Sequence, residues 1–316
     1  MNKLKIPMLA LSVLFSVIIL LDIELYLFSL VRSFSFQISL LIMLFAIVSL
    51  YNSKLVSFIH FTLSAFSLIF ILVRSNDALF KANLVYAAKN SGNTIKIFHA
   101  NVFIDNKQTE SLFSEIEKND VDIFTVVEAS RLVTNRLLKK YDSSYSYKIY
   151  TENFADYNIL LFSRIPLYTT KVKMLPGTDS IPYIEARLML GRTEVSLLVL
   201  HLCPPMSVMA WKERNAQLEY ISDVCGQEKS PVVIIGDFNC VPWDIEMRKF
   251  KKKSGVVDFR KGLSPSFPAD NFIAKIPIDY ILTSPDINCN SFKTVCIKGS
   301  DHSGVVGKYS FNTPAN

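Results

Sequence analysis

The sequence predicts an α/β domain of two packed mixed β-sheets flanked by helices, preceded by three transmembrane helices. Three observations predict it. Ile6 to Val73 is almost continuously apolar, short β-branched runs alternate with helix-patterned stretches from Thr94 onward, and polar residues recur just beyond the ends of those runs. Strands and helices mixed in this way, with meanders rather than regular βαβ units, favour two mixed sheets. The roughly 220 residues after the apolar quarter are ample for such a core.

The apolar quarter breaks at Arg32-Ser33 and Asn52-Ser53-Lys54 into Ile6–Val31, Phe34–Tyr51 and Leu55–Val73. Each is near the about 20 residues that cross a bilayer. A secretory signal is a competing reading of Lys3, Lys5 and the run after them, but three successive segments without a small-residue cleavage site speak against it. A buried helical bundle in a soluble protein is the other competitor. Asp22 and Glu24 are read as the outer end of a short first span, and His60, alone on an apolar helix, as a packing or hydrogen-bonding residue. With Lys3, Lys5 and Lys54 on the cytoplasmic side, everything after Val73 lies outside the cell membrane, although Arg32 and Arg74 weaken the charge asymmetry. The predicted organisation is a membrane anchor over 1–74, a polar connector over 75–93 and a folded domain over 94–316.

Within that domain Thr94–Phe103 reads as a strand, Thr109–Lys118 as a surface helix, Val121–Val127 as a buried strand and Arg131–Lys140 as helix. Tyr145–Thr151, Tyr157–Phe162, Thr170–Met174, Tyr183–Leu190 and Glu194–Leu200 fit a meander, with turns at Ser163-Arg164-Ile165-Pro166 and Gly191-Arg192. Met206–Val224 is a helix started near Pro204-Pro205 and stopped near Gly226. The apolar run Val232–Ile235, closed by Gly236, is a buried strand, and Trp243–Lys252 is helical. Ile276–Leu282, Phe292–Ile297 and Val305–Phe311 complete the strands.

A net charge of +6 is too small to announce a nucleic-acid binder. The basic run Arg248, Lys249, Lys251, Lys252, Lys253 reads as a solvated helix end. All five cysteines, Cys203, Cys225, Cys240, Cys289 and Cys296, follow residue 200 without a C-x-x-C pair, which disfavours a zinc knuckle and leaves one or two disulfides open.

Asn101, Glu128, His201, Asp237, Asn239, Asp279, Asp301 and His302 all stand at predicted strand ends. Gly236-Asp237-Phe238-Asn239 alone suits a turn as well as a site. The shared placement is more telling, since side chains beyond apolar strands meet at one rim on rigid elements. Carboxylates gathered there repel one another unless a cation sits among them, and oxygen donors suit magnesium or manganese.

The order Asn101, Val-Val-Glu128, His201-Leu, Gly236-Asp237-Phe238-Asn239, Ile278-Asp279-Tyr280 and Ser300-Asp301-His302 resembles the endonuclease/exonuclease/phosphatase (DNase I-like) superfamily over Thr94–Phe311. The resemblance implies a four-layer α/β sandwich and metal-dependent phosphoester hydrolysis. It implies Glu128 as the main metal ligand with Asn101 and Asp301 beside it, and His302 as base or charge stabiliser oriented by Asp279. Asp237 would position or deprotonate the attacking water, Asn239 hold a phosphate oxygen, and His201 stabilise developing charge. Phe103 stands where some nucleases of the superfamily carry an acid. His201-Leu-Cys-Pro-Pro205, Trp243, Asp258, Arg260, Gly262 and Ser266-Phe267-Pro268 are similar to bacterial membrane-anchored members with three leading helices.

The expected function is therefore a membrane-anchored, divalent-metal-dependent phosphoesterase acting on a phosphate ester or pyrophosphate, with a lipid or lipid-linked substrate and the bilayer as its partner. The alternative is a membrane-anchored nuclease acting on DNA, which is not favoured, and a third reading is a catalytically dead scaffold.

Overall fold

The computed structural model describes residues 5–51, 53–75, 94–154, 157–178, 180–260 and 262–311. They divide into a helical unit, made of the residues up to Ser75 with Val241–Arg248, and a mixed α/β unit made of the rest. Of the predicted connector, 75–93, Ser75 ends α4 and residues 76–93 lie outside the described residues.

In the helical unit the apolar quarter forms α1 (Lys5–Leu20), α2 (Tyr26–Ser33), α3 (Ser35–Ser49) and α4 (Lys54–Ser75). This corrects the expectation of three membrane-spanning helices, because among the described residues α4 alone is an unbroken helix of bilayer length. The described part of helix α1 has 16 residues and spans about 24 Å. The predicted first span breaks around Asp22 and Glu24, where the chain turns away after Leu20 and re-enters helix at Tyr26. Helices α2 and α3 bend by 69° across Phe34.

The packing of this unit is inverted relative to a soluble bundle. Ser12, Ser39, Ser57, Ser64 and Ser67 are buried while Phe58, Phe61, Phe66 and Ile69 are exposed. Small residues let the backbones approach, and the hydroxyls bridge them: Ser64 Oγ donates to Ser39 O at 2.7 Å and Ser57 Oγ to Ala46 O at 2.8 Å. His60 packs edge-on against Phe45, with ring centroids 6.0 Å apart. Trp243 is an anchor, donating from Nε1 to Arg32 O at 2.7 Å. Asp22 accepts from Arg74 at 2.7 Å and from Arg248 at 2.7 Å.

The mixed unit holds a six-stranded sheet, ordered β10-β11-β1-β2-β4-β3, and a five-stranded sheet, ordered β5-β6-β7-β8-β9. The strands are β1 (Thr94–Asn101), β2 (Ile123–Val127), β3 (Tyr147–Tyr150), β4 (Ile159–Ser163), β5 (Leu167–Met174), β6 (Pro182–Leu190), β7 (Thr193–His201), β8 (Val232–Asp237), β9 (Asp279–Thr283), β10 (Ile287–Cys296) and β11 (Ser303–Phe311). Side chains alternate between faces along a strand, so every second residue looks into the space between the sheets. Ile95, Ile97, Ile123, Val127, Val195, Val199, Val233, Ile235 and Ile281 fill it. The opposite face of the six-stranded sheet, with Phe98, Phe124 and Phe162, is covered by Leu112 and Ile116 of α5 (Glu110–Asn119) and Val133 and Leu137 of α6 (Arg131–Lys140). Helix α7 (Val208–Gln227) sets Tyr220 edge-on to Tyr183 of β6, and α8 spans Ile245–Ser254.

The predicted meander is divided. Strands β3 and β4 belong to one sheet and β5–β7 to the other, so the Ser163-Arg164-Ile165-Pro166 turn carries the chain between layers. Strand β4 is buried throughout, as a strand between a helix layer and a second sheet must be, whereas β5 is a largely exposed edge. No disulfide forms, and all five cysteines are free thiols.

Candidate active site

Strand direction brings the site together. The parallel pairs β1/β2 and β7/β8 run toward the same rim of the unit, and antiparallel β9 and β11 begin there. Asn101, Glu128, His201 and Asp237 thus leave strand ends where Asp279 and His302 enter strand starts. Register fixes the neighbours: His201 lies beside Asp237 across β7/β8, and Asp237 beside Asp279 across β8/β9.

Gly236 makes the approach of β7 and β8 feasible. A Cβ there would collide with the Leu200 carbonyl oxygen, so only glycine lets the next residue, Asp237, sit beside His201. The loop beyond is pinned by Phe238, fully buried against Tyr280 at a centroid distance of 5.1 Å. Tyr280 in turn donates its hydroxyl hydrogen to Cys240 O at 2.7 Å. Glu128 (φ 55°) and Asn239 (φ 49°) both take the left-handed conformation, a strain held by the structure around them.

Asn101 Oδ1 accepts from the Phe103 N–H at 3.0 Å, which turns Nδ2 toward Glu128 Oε1 at 2.6 Å and Asp237 Oδ2 at 3.2 Å. The Asn101 amide therefore faces the acids as a donor. His201 Nε2 is 3.4 Å from Glu128 Oε1 and 3.9 Å from Asp237 Oδ2. His302 Nδ1 is 2.9 Å from Asp279 Oδ2, with Nε2 3.6 Å from Asp237 Oδ2. Asn239 lies beside this network. Its N–H donates to Asp237 Oδ1 at 2.8 Å, and its side-chain amide donates to Leu202 O at 2.9 Å.

Asp301 stands apart from these contacts. Its backbone carbonyl accepts from the Ala269 N–H at 2.6 Å, and its Oδ1 is buried without a hydrogen-bond partner.

Burial and crowding separate the charges. Asp237 is raised well above the usual carboxylate range, first by burial and then by the neighbouring Asp279 charge. Burial would also raise Asp279, but the His302 cation and the hydrogen bonds from His302 and His99 outweigh it, and its carboxyl is lowered. Burial would lower His302, yet Asp279 and Asp237 outweigh it and the imidazole is held as a cation well above its ordinary range.

Several contributors go beyond the predicted set. His99 and Thr125 lie on the inter-sheet face beneath it, the ring of Phe267 packs against His302 at 4.8 Å, and that of Tyr157 against His201 at 5.2 Å. Arg260 Nη1 supports the Asp279 carbonyl at 3.1 Å while its Nε holds Asp258 at 2.7 Å. Ser266 Oγ accepts from the N–H groups of Ile278 at 3.2 Å and Asp279 at 3.3 Å. The alternation Ile95, Ile97, His99, Asn101 places His99 on the face of β1 that leads to the site.

The donor set suits a divalent cation. Ligand atoms of Glu128, His201 and Asp237 all lie within 4.8 Å of one another.

Comparison with known proteins agrees with the fold. The fold is shared with an endonuclease/exonuclease/phosphatase from Beutenbergia cavernae (16% identity, 70% of this chain and 72% of that one, TM-score 0.59). It is also shared with D. rerio TDP2 complexed with a single-strand DNA product (16% identity, 70% and 99%, TM-score 0.59). The human Nocturnin catalytic domain with bound sulfate shows the same architecture (17% identity, 69% and 95%, TM-score 0.55). No curated protein matches the sequence. The family model described as Endonuclease/Exonuclease/phosphatase family matches residues 99–302, from the inter-sheet histidine of β1 to the histidine paired with Asp279, and the chain belongs to that family.

Proposed function

We propose that the chain is a membrane-held, divalent-metal-dependent phosphoesterase that hydrolyses a phosphate ester or pyrophosphate, with a lipid or lipid-linked phosphate as substrate class. The observation that carries this reading is the gathering of Glu128, His201 and Asp237 ligand atoms within 4.8 Å, beside a His302 tied to Asp279 at 2.9 Å. Glu128, Asp237 and Asp301 would hold magnesium or manganese, which supplies charge neutralisation and a polarised phosphoryl oxygen. Asn101, bonded to Glu128 and Asp237, keeps both carboxylates aimed at one point. Asp237, once ionised, orients the attacking water and accepts its proton. His302, a cation fixed by Asp279, meets the negative charge that develops on the phosphoryl group. Asn239 spends one amide hydrogen on Leu202 O and has a second for a phosphate oxygen.

The membrane part of the reading is supported by the inverted packing of the helical unit, with serines inside and phenylalanines outside, and by α4, 22 residues long with mean hydropathy 2.2. A site held near headgroups works at a high effective concentration of lipid phosphate. The basic run lends no support to DNA as substrate: Arg248 pairs with Asp22 at 2.7 Å, and Lys253 with Asp223 at 2.7 Å. Placement of the site outside the cell rests on Lys3 and Lys5, and a reporter fused at the carboxyl terminus that is active only in the cytoplasm overturns it.

The test uses the full chain in phospholipid vesicles. Phosphate or headgroup release should require magnesium, stop with chelator, and fall by about 10²–10⁴-fold in Asp237→Ala. Plasmid nicking by the same preparation, without release from any lipid, assigns the nuclease instead.

A further inference from the structure

His99 lies on β1 two residues before Asn101 and is fully buried. The positions preceding it on the same face, Ile95 and Ile97, are apolar core, and an imidazole at the next such position is costly unless both nitrogens are satisfied. Here they are. Nδ1 is 2.8 Å from Thr125 Oγ1, its register neighbour on β2. Nε2 is 3.3 Å from Asp279 Oδ1, whose other oxygen, Oδ2, is 2.9 Å from His302 Nδ1.

The hydrogens can be assigned by inventory. An ionised carboxylate only accepts, so a hydrogen on His99 Nε2 is the one that can face Asp279, and in a ring carrying that single hydrogen Nδ1 accepts from the Thr125 hydroxyl. The ring thus completes the line Thr125–His99–Asp279–His302. With His302 hydrogen-bonded to Oδ2 and the His99 ring set against Oδ1, the Asp279 carboxylate is confined, and with it the His302 ring that reaches toward Asp237.

We propose that His99 is a positioning residue: it braces Asp279 from the inter-sheet core so that Asp279 can orient His302, and Thr125 selects the tautomer that makes the brace. The kinetic part of this proposal rests on the phosphoesterase reading above; the hydrogen-bond part does not.

The chain has only four histidines, so two-bond ¹⁵N–¹H spectra of the ¹⁵N-histidine-labelled full chain in detergent micelles resolve each ring. His99 should carry its hydrogen on Nε2 alone, and Thr125→Val should return it to a mixture of tautomers. His99→Phe should shift the His302 ring signals and lower kcat by about 10- to 100-fold with KM unchanged. His99→Gln, whose amide nitrogen reaches near the Nε2 position, should restore most of kcat. If His99→Phe does not fold, Thr125→Val carries the kinetic test, with a several-fold loss of kcat at an unchanged melting temperature. A hydrogen on His99 Nδ1, or unchanged His302 signals and kcat in a folded His99→Phe, overturns the proposal. A wild-type chain inactive on every phosphoester sinks the functional reading, while the spectra still decide the brace.

Discussion

Asp237 holds its proton because it is buried beside an ionised Asp279, and that single residue links the site to both pH and metal. A carboxyl raised in the fold binds a proton that the unfolded chain has already released, so the stability it contributes is present at low pH and is lost as pH rises through its folded value. His302 is raised as well, and its contribution is likewise lost as pH rises from its unfolded value near 6.5 toward its folded one. The metal-free chain should therefore melt at lower temperature at pH 9 than at pH 6, with a slope of up to about 1.4 kcal/mol per pH unit for each retained proton. A cation beside Asp237 must displace its proton, so the stabilisation by magnesium should be larger at pH 9 than at pH 6. Thermal unfolding with chelator and with magnesium measures both, and in Asp237→Asn the growth of the magnesium effect with pH should shrink. An effect of magnesium independent of pH in the wild type would show that Asp237 does not border the metal.

At the scale of elements, the pairing of β7 with β8 sets the site, and Gly236 is its weakest tolerance. Gly236→Ala places a methyl group against the Leu200 carbonyl, and the strands must part where His201 and Asp237 are neighbours. Overpacking of this kind costs about 1–3 kcal/mol. Denaturant unfolding should register that loss, and kcat should fall at least tenfold even where the chain remains folded; full activity would mean that the register of these strands does not govern the chemistry. The same elements show what was legible beforehand. Val232–Ile235 is an unbroken β-branched run between Pro231 and Gly236, a local signal that needs no partner to be read. Helix α6 begins at Ser130, whose hydroxyl accepts from the Val133 N–H at 3.3 Å, another feature written in consecutive residues. Six of the eight polar strand-end residues meet in one network because their strands were individually readable and run to one rim. His99 was not readable in that way, since its meaning depends on Thr125 and Asp279, 26 and 180 positions further along the chain. The passage of β5 into the second sheet was hidden for the same reason: a hairpin-like turn at Ile165-Pro166 looks alike whether the next strand pairs or leaves. The three-helix reading differs from the structure on a local matter, because Ile6–Val31 is divided into α1 and α2 around Asp22 and Glu24, and α2 bends into α3 instead of ending a span.

For the whole molecule, the question that joins chemistry to place is whether α4 faces lipid or water, and its own surface supplies a discriminating experiment. Phe61, Phe66 and Ile69 are exposed on α4, near the middle of a 22-residue helix that also buries His60, Ser64 and Ser67. If water surrounds this helix, Phe66→Lys and Ile69→Lys are surface changes that improve solubility and leave stability within about 0.5 kcal/mol. If lipid surrounds it, each lysine at the helix centre costs about 2.5–3.5 kcal/mol of insertion free energy, and the double variant should no longer be retained in membranes after alkaline carbonate extraction. Ser64→Leu is the complementary change. It leaves hydropathy more favourable, yet removes the hydroxyl that bridges to Ser39 O at 2.7 Å and forces a branched side chain between close-packed backbones. The membrane reading predicts that the double lysine variant leaves the membrane fraction, while Ser64→Leu stays in it with a less stable helical unit, measured by protease sensitivity in membranes. A double lysine variant that remains folded, soluble and monodisperse without detergent would instead make these helices a soluble bundle. The active site would then act on a dissolved phosphoester, because its residues belong to the mixed unit and owe nothing to lipid.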